Sequence, residues 1–261
     1  STAFDSESLN FIVNDLQLNL LKIPSGEITN GPFLLEHART GCSVILSTGM
    51  STIEEIEDAL SVLAFGYLST EMPTRELMKS SYTSNEGQWI LKEKVALMHC
   101  TSQYPTVTTD VNLRAIKTMK KHFDLKVGLS DHTQGTLVAS NAVALGAEII
   151  EKHFTIDKTL SGPDHQSSLE PDELCEMIKS IRATEESLGD GIKEPRNSEN
   201  ENLIVSRKSI VARKKIKKGE LFNPKNITLK RPGSGKSPMD YWDILNQPSS
   251  RNYSPDETID Q

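Results

Sequence analysis

Leu129-Ser130-Asp131-His132-Thr133 and Glu151-Lys152-His153-Phe154-Thr155 decide the fold. Each follows a short apolar run, residues 126–129 in the first case and 147–150 in the second. The intervening residues 134–146 carry apolar side chains at helical spacing (Leu137, Val138, Ala142, Val143, Leu145) and close on Gly146. Strand, helix, strand is the βαβ unit, which sets both histidines just beyond the carboxyl ends of neighbouring parallel strands. Folds of this type carry their chemistry there.

Outward from that unit the same rhythm repeats. Ser1-Thr2-Ala3-Phe4 reads as the end of a strand, and residues 5–13 have helical spacing capped by Asp5 or Ser6. Strands are expected near residues 21, 44, 97, 127 and 148, each followed by a helix or helical candidate. Ser51 with Glu54 resembles a capping box for a helix reaching about Phe65. Residues 67–90, rich in Ser, Thr and Glu, read as an insertion with one short helix over 74–80. Residues 112–123 form a helix ending in Lys117, Lys120 and Lys121, and Pro171 opens an amphipathic helix that stops at Gly189. Polar exits on every strand favour a (β/α)8 TIM barrel over an open doubly wound sheet, whose polar groups gather at one crevice. The visible units fall short of a closed barrel, so the barrel is expected to be amino-terminally incomplete, occupying residues 1–190. A linker is expected over 191–202, and a small module over 203–261 with strands at 209–212 and 227–230.

Composition narrows the function classes. A net charge of −7 and the lack of an arginine-rich stripe argue against nucleic acid as a partner. No apolar run approaches bilayer length, and Ser1 opens no signal-peptide pattern, so no membrane is expected. Three widely spaced cysteines, Cys42, Cys100 and Cys175, fit reduced thiols in a cytoplasmic compartment rather than a disulfide framework.

His132 and His153 can share one divalent ion, because adjacent strand ends lie roughly 5 Å apart. Two nitrogens would leave several positions for water or substrate, with Mn²⁺, Mg²⁺, Zn²⁺ and Fe²⁺ all open; packing at the rim is the alternative. Asp131 or Glu151 would complete the shell or orient an imidazole, although Glu151 also suits an ordinary barrel-interior carboxylate. Lys22, Ser25, Ser47, Ser102 and Ser130 stand at strand exits, a set suited to a phosphate or carboxylate; any one serine alone also suits a helix cap. Glu27 reads either as a proton-transfer carboxylate or hydroxyl ligand or as a surface acid. Tyr104, Asp164 and His165 lie in exit loops, where Asp164 suits vicinal sugar hydroxyls or simply a turn. Cys100 reads as core, and Lys214 to Lys218 as a solvated hairpin.

Lys22-Ile23-Pro24-Ser25-Gly26-Glu27, Ile45-Leu46-Ser47-Thr48-Gly49-Met50, His99-Cys100-Thr101-Ser102-Gln103-Tyr104-Pro105, Gly128-Leu129-Ser130-Asp131-His132-Thr133, Glu151 to Thr155, Gly162-Pro163-Asp164 and Lys230-Arg231-Pro232-Gly233 together resemble the ordered signature of the sialic acid synthase family. The resemblance implies condensation of phosphoenolpyruvate with an N-acylated hexosamine, N-acetylmannosamine or a related diamino sugar, giving a nonulosonic acid and phosphate. It implies a (β/α)8 barrel with a small antifreeze-like (SAF) domain, in a domain-swapped homodimer. By that resemblance His132 and His153 hold the divalent ion, Mn²⁺ or Mg²⁺. Thr2, Lys22, Ser25, Ser47, Ser102 and Ser130 contact phosphoenolpyruvate, and Glu27 is the acid–base residue. Tyr104 and Asp164 contact the acyl-hexosamine, with Arg231 arriving from the partner subunit. Two departures stand out: residues 67–90 are longer than usual, and the family's strands that would precede Ser1, carrying a glutamate, a lysine, a glutamine and an asparagine, are not in this sequence. A separate chain supplying those strands is one partner this implies. A metal-dependent keto-acid aldolase and a non-catalytic sugar-binding or partner subunit are the rival readings.

Overall fold

A computed structural model describes residues 1–260, which divide into two compact units, one of residues 1–190 and a second beginning at Gly191. In the first unit the strands are β1 (Leu20–Ile23), β2 (Ser43–Ser47), β3 (Val95–Cys100), β4 (Lys126–Asp131) and β5 (Ile150–Lys152). They pair in parallel in the order β1-β2-β3-β4-β5. Thr2 bridges Lys22 in parallel and the Ser1 carbonyl accepts from the Lys22 amide at 2.7 Å, so the opening residues lie along the outer edge of β1 as expected. The sheet is a partial barrel. Its middle strand, β3, is buried along nearly its whole length, as a parallel strand covered on both faces must be.

The α-helices of this unit are α1 (Ser6–Asn10), α2 (Gly31–Arg39), α3 (Ile53–Leu68), α4 (Arg75–Thr83), α5 (Asn85–Lys94), α6 (Arg114–Phe123), α7 (Leu137–Ala144) and α8 (Pro171–Leu188). Their ends follow local chemistry. Asp5 caps α1 by accepting from the Ser8 amide at 2.7 Å, and Asn30 caps α2 ahead of Pro32. The capping box of α3 is Thr52 with Glu55, one residue later than expected, and the helix runs on to Leu68. Residues 67–90 differ more. Instead of one short helix the insertion forms α4 and then begins α5, each started by a hydroxyl cap, Thr74 and Ser84. Leu91 of α5 is buried in the main core, which is why the second helix forms despite a polar sequence.

Close approach of β4 and β5 depends on Gly128. A Cβ there would lie 2.4 Å from the Ile149 carbonyl oxygen and 2.6 Å from the Met98 sulfur, so no larger residue fits without moving backbone.

The second unit adds α9 (Asn200–Ser206), β6 (Ser209–Ala212), β7 (Ile227–Lys230) and α10 (Tyr241–Ile244). A single turn at Asn197–Glu199 and the start of α9 occupy part of the segment expected to be linker. β6 and β7 pair antiparallel over a core of Ile210, Ile216, Phe222, Ile227, Tyr253 and Ile259. Ile216 is buried while Lys214, Lys215, Lys217 and Lys218 around it are exposed, the solvated hairpin expected there. Among the described residues no helix is long and apolar enough to cross a membrane, and all three cysteines are free thiols.

His37 on α2 is fully buried; its Nδ1 donates to the Phe33 carbonyl at 2.8 Å and its Nε2 has no partner. Burial holds its pKa below the ordinary imidazole value, outweighing the Phe33 carbonyl and the nearby Glu36 and Glu27. The folded protein therefore keeps His37 neutral while the unfolded chain takes up a proton, and the stability this contributes, present above about pH 6.5, falls away on acidification. Urea titrations between pH 5 and 7 are expected to show a His37-dependent slope of at most about 1.4 kcal/mol per pH unit, which His37→Leu removes.

Candidate active site

The carboxyl ends of β1 to β5 and the loops after them surround a cavity of about 520 Å³. Thr2, Lys22, Ser25, Ser47, Ser102, Tyr104, Ser130, His132 and His153, nine of the residues singled out from sequence, line it together. They come from separate strand exits, so parallel pairing alone brings them to one rim.

Ser130 and Glu151 are register partners on β4 and β5, and the Ser130 hydroxyl donates to Glu151 Oε1 at 2.6 Å. Lys22 Nζ, its side chain 15% exposed, meets the same carboxylate at 3.1 and 3.2 Å. Burial pushes the Glu151 carboxyl upward, but the Ser130 hydroxyl and the Lys22 ammonium more than offset it, so the group stays ionised well below neutrality. Glu151 is thus the hub of the rim, a role its reading as an ordinary interior acid understated.

The imidazoles of His132 and His153 have centroids 5.2 Å apart at 84°. His132 Nδ1 donates to the Thr101 carbonyl at 3.0 Å, which leaves the Nε2 lone pair free. Ser130 Oγ lies 3.5 Å from that Nε2, yet its single proton is already given to Glu151. Burial, then the neighbouring His132, hold the His153 pKa below its usual value against the opposing pull of Asp164 and Glu151. Tyr104 leans on both rings, at 4.2 Å from His132 and 5.6 Å from His153; its own hydroxyl is pushed upward, by burial first. Two imidazoles lining one polar cavity suit a divalent ion that keeps most of its coordination for water or substrate. Among the described residues no group of three or more His, Cys, Asp or Glu is placed to hold a metal ion.

The anion side is built around Gly49. Its amide donates to Ser25 Oγ at 2.9 Å, and a Cβ on it would lie 2.8 Å from Ser25 Oγ and 2.4 Å from Ser102 Oγ. Ser47 Oγ is buried without a hydrogen-bond partner, the mark of a hydroxyl kept for something the cavity receives.

Other expectations meet corrections. Glu27 does not line the cavity: its carboxylate accepts from Asn30 Nδ2 at 2.7 Å, drawn into the cap of α2. Asp131 joins no shell; by strand alternation it turns to the face opposite Ser130. Asp164 stands behind His153, its Oδ2 3.7 Å from Nδ1, rather than in the cavity wall. His165 is bonded to Thr155 Oγ1 at 2.8 Å instead of lying free on the surface. Arg231, in the second unit, donates from Nε to the Ser206 carbonyl at 2.9 Å. Cys100 faces the cavity 3.8 Å from His132 Nδ1, and Phe4 and Met50 also line it. The signal for Cys100 was its place at a strand exit; Phe4 and Met50 offered none, since exposed apolar residues are common on any surface.

A partial parallel barrel with an anion cradle beside paired imidazoles at its carboxyl end defines a class, the barrel enzymes that process anionic substrates. The NeuB family model matches residues 1–193 and the SAF domain model residues 207–261. The chain belongs to the NeuB family. It is 45% identical to the N,N′-diacetyllegionaminic acid synthase of Campylobacter jejuni, over 99% of this chain and 71% of that protein. The enzyme of the same name from Legionella pneumophila is 39% identical, over 99% of this chain and 67% of its own length. A crystal structure of the N-acetylneuraminic acid (sialic acid) synthetase of Leptospira borgpetersenii in complex with citrate superposes with a TM-score of 0.62 at 36% identity, over 77% of this chain and 62% of that one. The chain therefore spans roughly two thirds of the length of these relatives.

Gly49→Ala tests the cradle. The added methyl displaces the Ser25 and Ser102 hydroxyls, so the anionic substrate's apparent affinity is expected to fall about tenfold or more while the melting temperature barely changes. Calorimetric titration with phosphoenolpyruvate measures the first, and thermal denaturation the second.

Proposed function

We propose that this chain carries the catalytic rim of a nonulosonic acid synthase, which condenses phosphoenolpyruvate with an N-acylated hexosamine and releases phosphate. The observation that carries the reading is the shared cavity, where Lys22 and the serines stand beside His132 and His153. The two N,N′-diacetyllegionaminic acid synthases among its relatives favour a sugar with two acetamido groups, because phosphoenolpyruvate contributes no nitrogen and both must arrive on the acceptor.

Lys22, Ser25, Ser47, Ser102, Ser130 and Thr2 hold the phosphate and carboxylate of phosphoenolpyruvate, Lys22 exchanging Glu151 for substrate anion as it does so. Tyr104 and Asp164 orient the open-chain sugar. Its aldehyde carbon is attacked by the methylene carbon of phosphoenolpyruvate, and the aldehyde oxygen takes a proton to become a hydroxyl. Water adds to the oxocarbenium carbon that results; Glu151, the carboxylate that faces the cavity, accepts its proton, a role Glu27 could share only on leaving Asn30. The carbon–oxygen bond of the tetrahedral adduct then breaks, leaving the keto acid and inorganic phosphate. His132 and His153 would hold a divalent ion, Mn²⁺ or Mg²⁺, which when bound supplies Lewis acidity toward the sugar aldehyde. A homodimer, with the small domain of one subunit covering the barrel mouth of the other and bringing Arg231 to the sugar, would exclude bulk water.

The test is phosphate release from phosphoenolpyruvate with N-acetylmannosamine or its diacetamido counterpart and Mn²⁺, by the chain alone and mixed with the amino-terminal strands of a family member. Metal-dependent release is expected, falling about a hundredfold in Lys22→Met and in His132→Ala. Pyruvate released from the nonulosonic acid itself, with no phosphate released from phosphoenolpyruvate, would turn the assignment to an aldolase. Sugar binding with no turnover, indifferent to His132→Ala, would make the chain a binding subunit.

A further inference from the structure

We propose that Asp131 and Lys152 are positioning residues, a buried ion pair that locks β4 on β5 so that His132 and His153 face each other. The ion-binding consequence rests on the two-histidine reading above; the positioning itself does not.

Three successive rungs join the two strands. Ser130 is opposite Glu151, and the two hydrogen-bond on the cavity side. Asp131 is opposite Lys152, and strand alternation turns this pair to the other face, where Oδ2 and Nζ meet at 3.0 Å with side chains 1% and 3% exposed. His132 and His153 follow at once, back on the cavity side. Among the described residues no hydrogen bond joins the two imidazoles directly, so the rungs beneath them set their separation.

Each charged atom of the Asp131–Lys152 rung has a partner in this register. Asp131 Oδ1 accepts from the Thr133 amide at 2.8 Å and from its hydroxyl at 2.7 Å, and Lys152 also donates to the Thr133 carbonyl. The carboxylate thereby closes a turn around His132 itself, fixing its backbone from both sides. A slip of β5 by one residue against β4 would swing Lys152 into the cavity and His153 out of it, leaving Asp131 buried and unpaired. The pair therefore specifies one register, the use of a buried ion pair that outlasts its poor return in stability.

The experiment uses the full chain, freed of metal, with labelled histidines. Wild type should show a nuclear Overhauser cross-peak between the rings of His132 and His153, whose centroids are 5.2 Å apart. The double variant Asp131→Asn with Lys152→Met buries no unpaired charge and is expected to melt near the wild type, to lose that cross-peak, and to bind Mn²⁺ about tenfold more weakly or worse. A folded double variant that keeps the cross-peak overturns the proposal, whatever the ion does. Should it fail to fold, the isosteric Asp131→Asn is judged by the same cross-peak, weakened if the proposal holds and unchanged if it does not. Failure of Mn²⁺ to bind even the wild type would sink the ion reading, while the cross-peak still decides the positioning.

Discussion

The register of β4 against β5 is the constraint on which the site depends. Parallel strands have no tight turn to set their alignment, so alignment must come from side chains and from the packing of the crossover helix. Gly128 lets the two strands close up, and two residues further on Ser130 is set against Glu151. Each pairing is weak alone. Together they bring a carboxylate, a hydroxyl and two imidazoles to one rim from segments separated by a whole helix.

From that rim the anion cradle extends toward β1 and β2 through one contact. Glu151 reaches Lys22 across the cavity mouth, so the two edge strands of the sheet, β1 and β5, communicate by a charge rather than by backbone. Gly49 joins the same network from β2, because only a residue without a side chain lets the hydroxyls of Ser25 and Ser102 approach it together. The cradle is thus assembled from small residues, and its shape is set where side chains are missing as much as where they are present.

Much of this was legible in the residues. Apolar runs ending in polar exits marked all five strands, since a buried parallel strand has nowhere to put a polar residue except its end. Repetition of Ser at those exits marked the cradle, and both histidines fell just past β4 and β5 as spacing required. The errors have physical causes. Glu27 sits at the right distance from Ser25, but Asn30 competes for its carboxylate at the start of a helix, and sequence spacing carries no side-chain direction. Asp131 neighbours a cavity histidine yet faces the other way, as adjacent strand residues do, which leaves it the expected role of orienting the imidazole rather than that of a ligand. The second insertion helix forms through burial of Leu91 against a core distant in sequence, a tertiary term no local pattern contains.

Charge balance sets what the cavity still needs. Lys22 is its ammonium and Glu151 its carboxylate, already paired, while His153 is held toward neutrality by burial and by His132. Phosphoenolpyruvate carries roughly three negative charges at neutral pH, one on its carboxylate and nearly two on its phosphate. Hydroxyls from Ser25, Ser47, Ser102 and Ser130 can solvate those charges but cannot neutralise them. On the proposed function, binding would call for cations beyond Lys22, and the two imidazoles offer a place within this cavity where a divalent one would be held. On that proposal an anion and a divalent ion would favour each other's binding, each lowering the electrostatic cost of the other, and their binding would be mutually dependent.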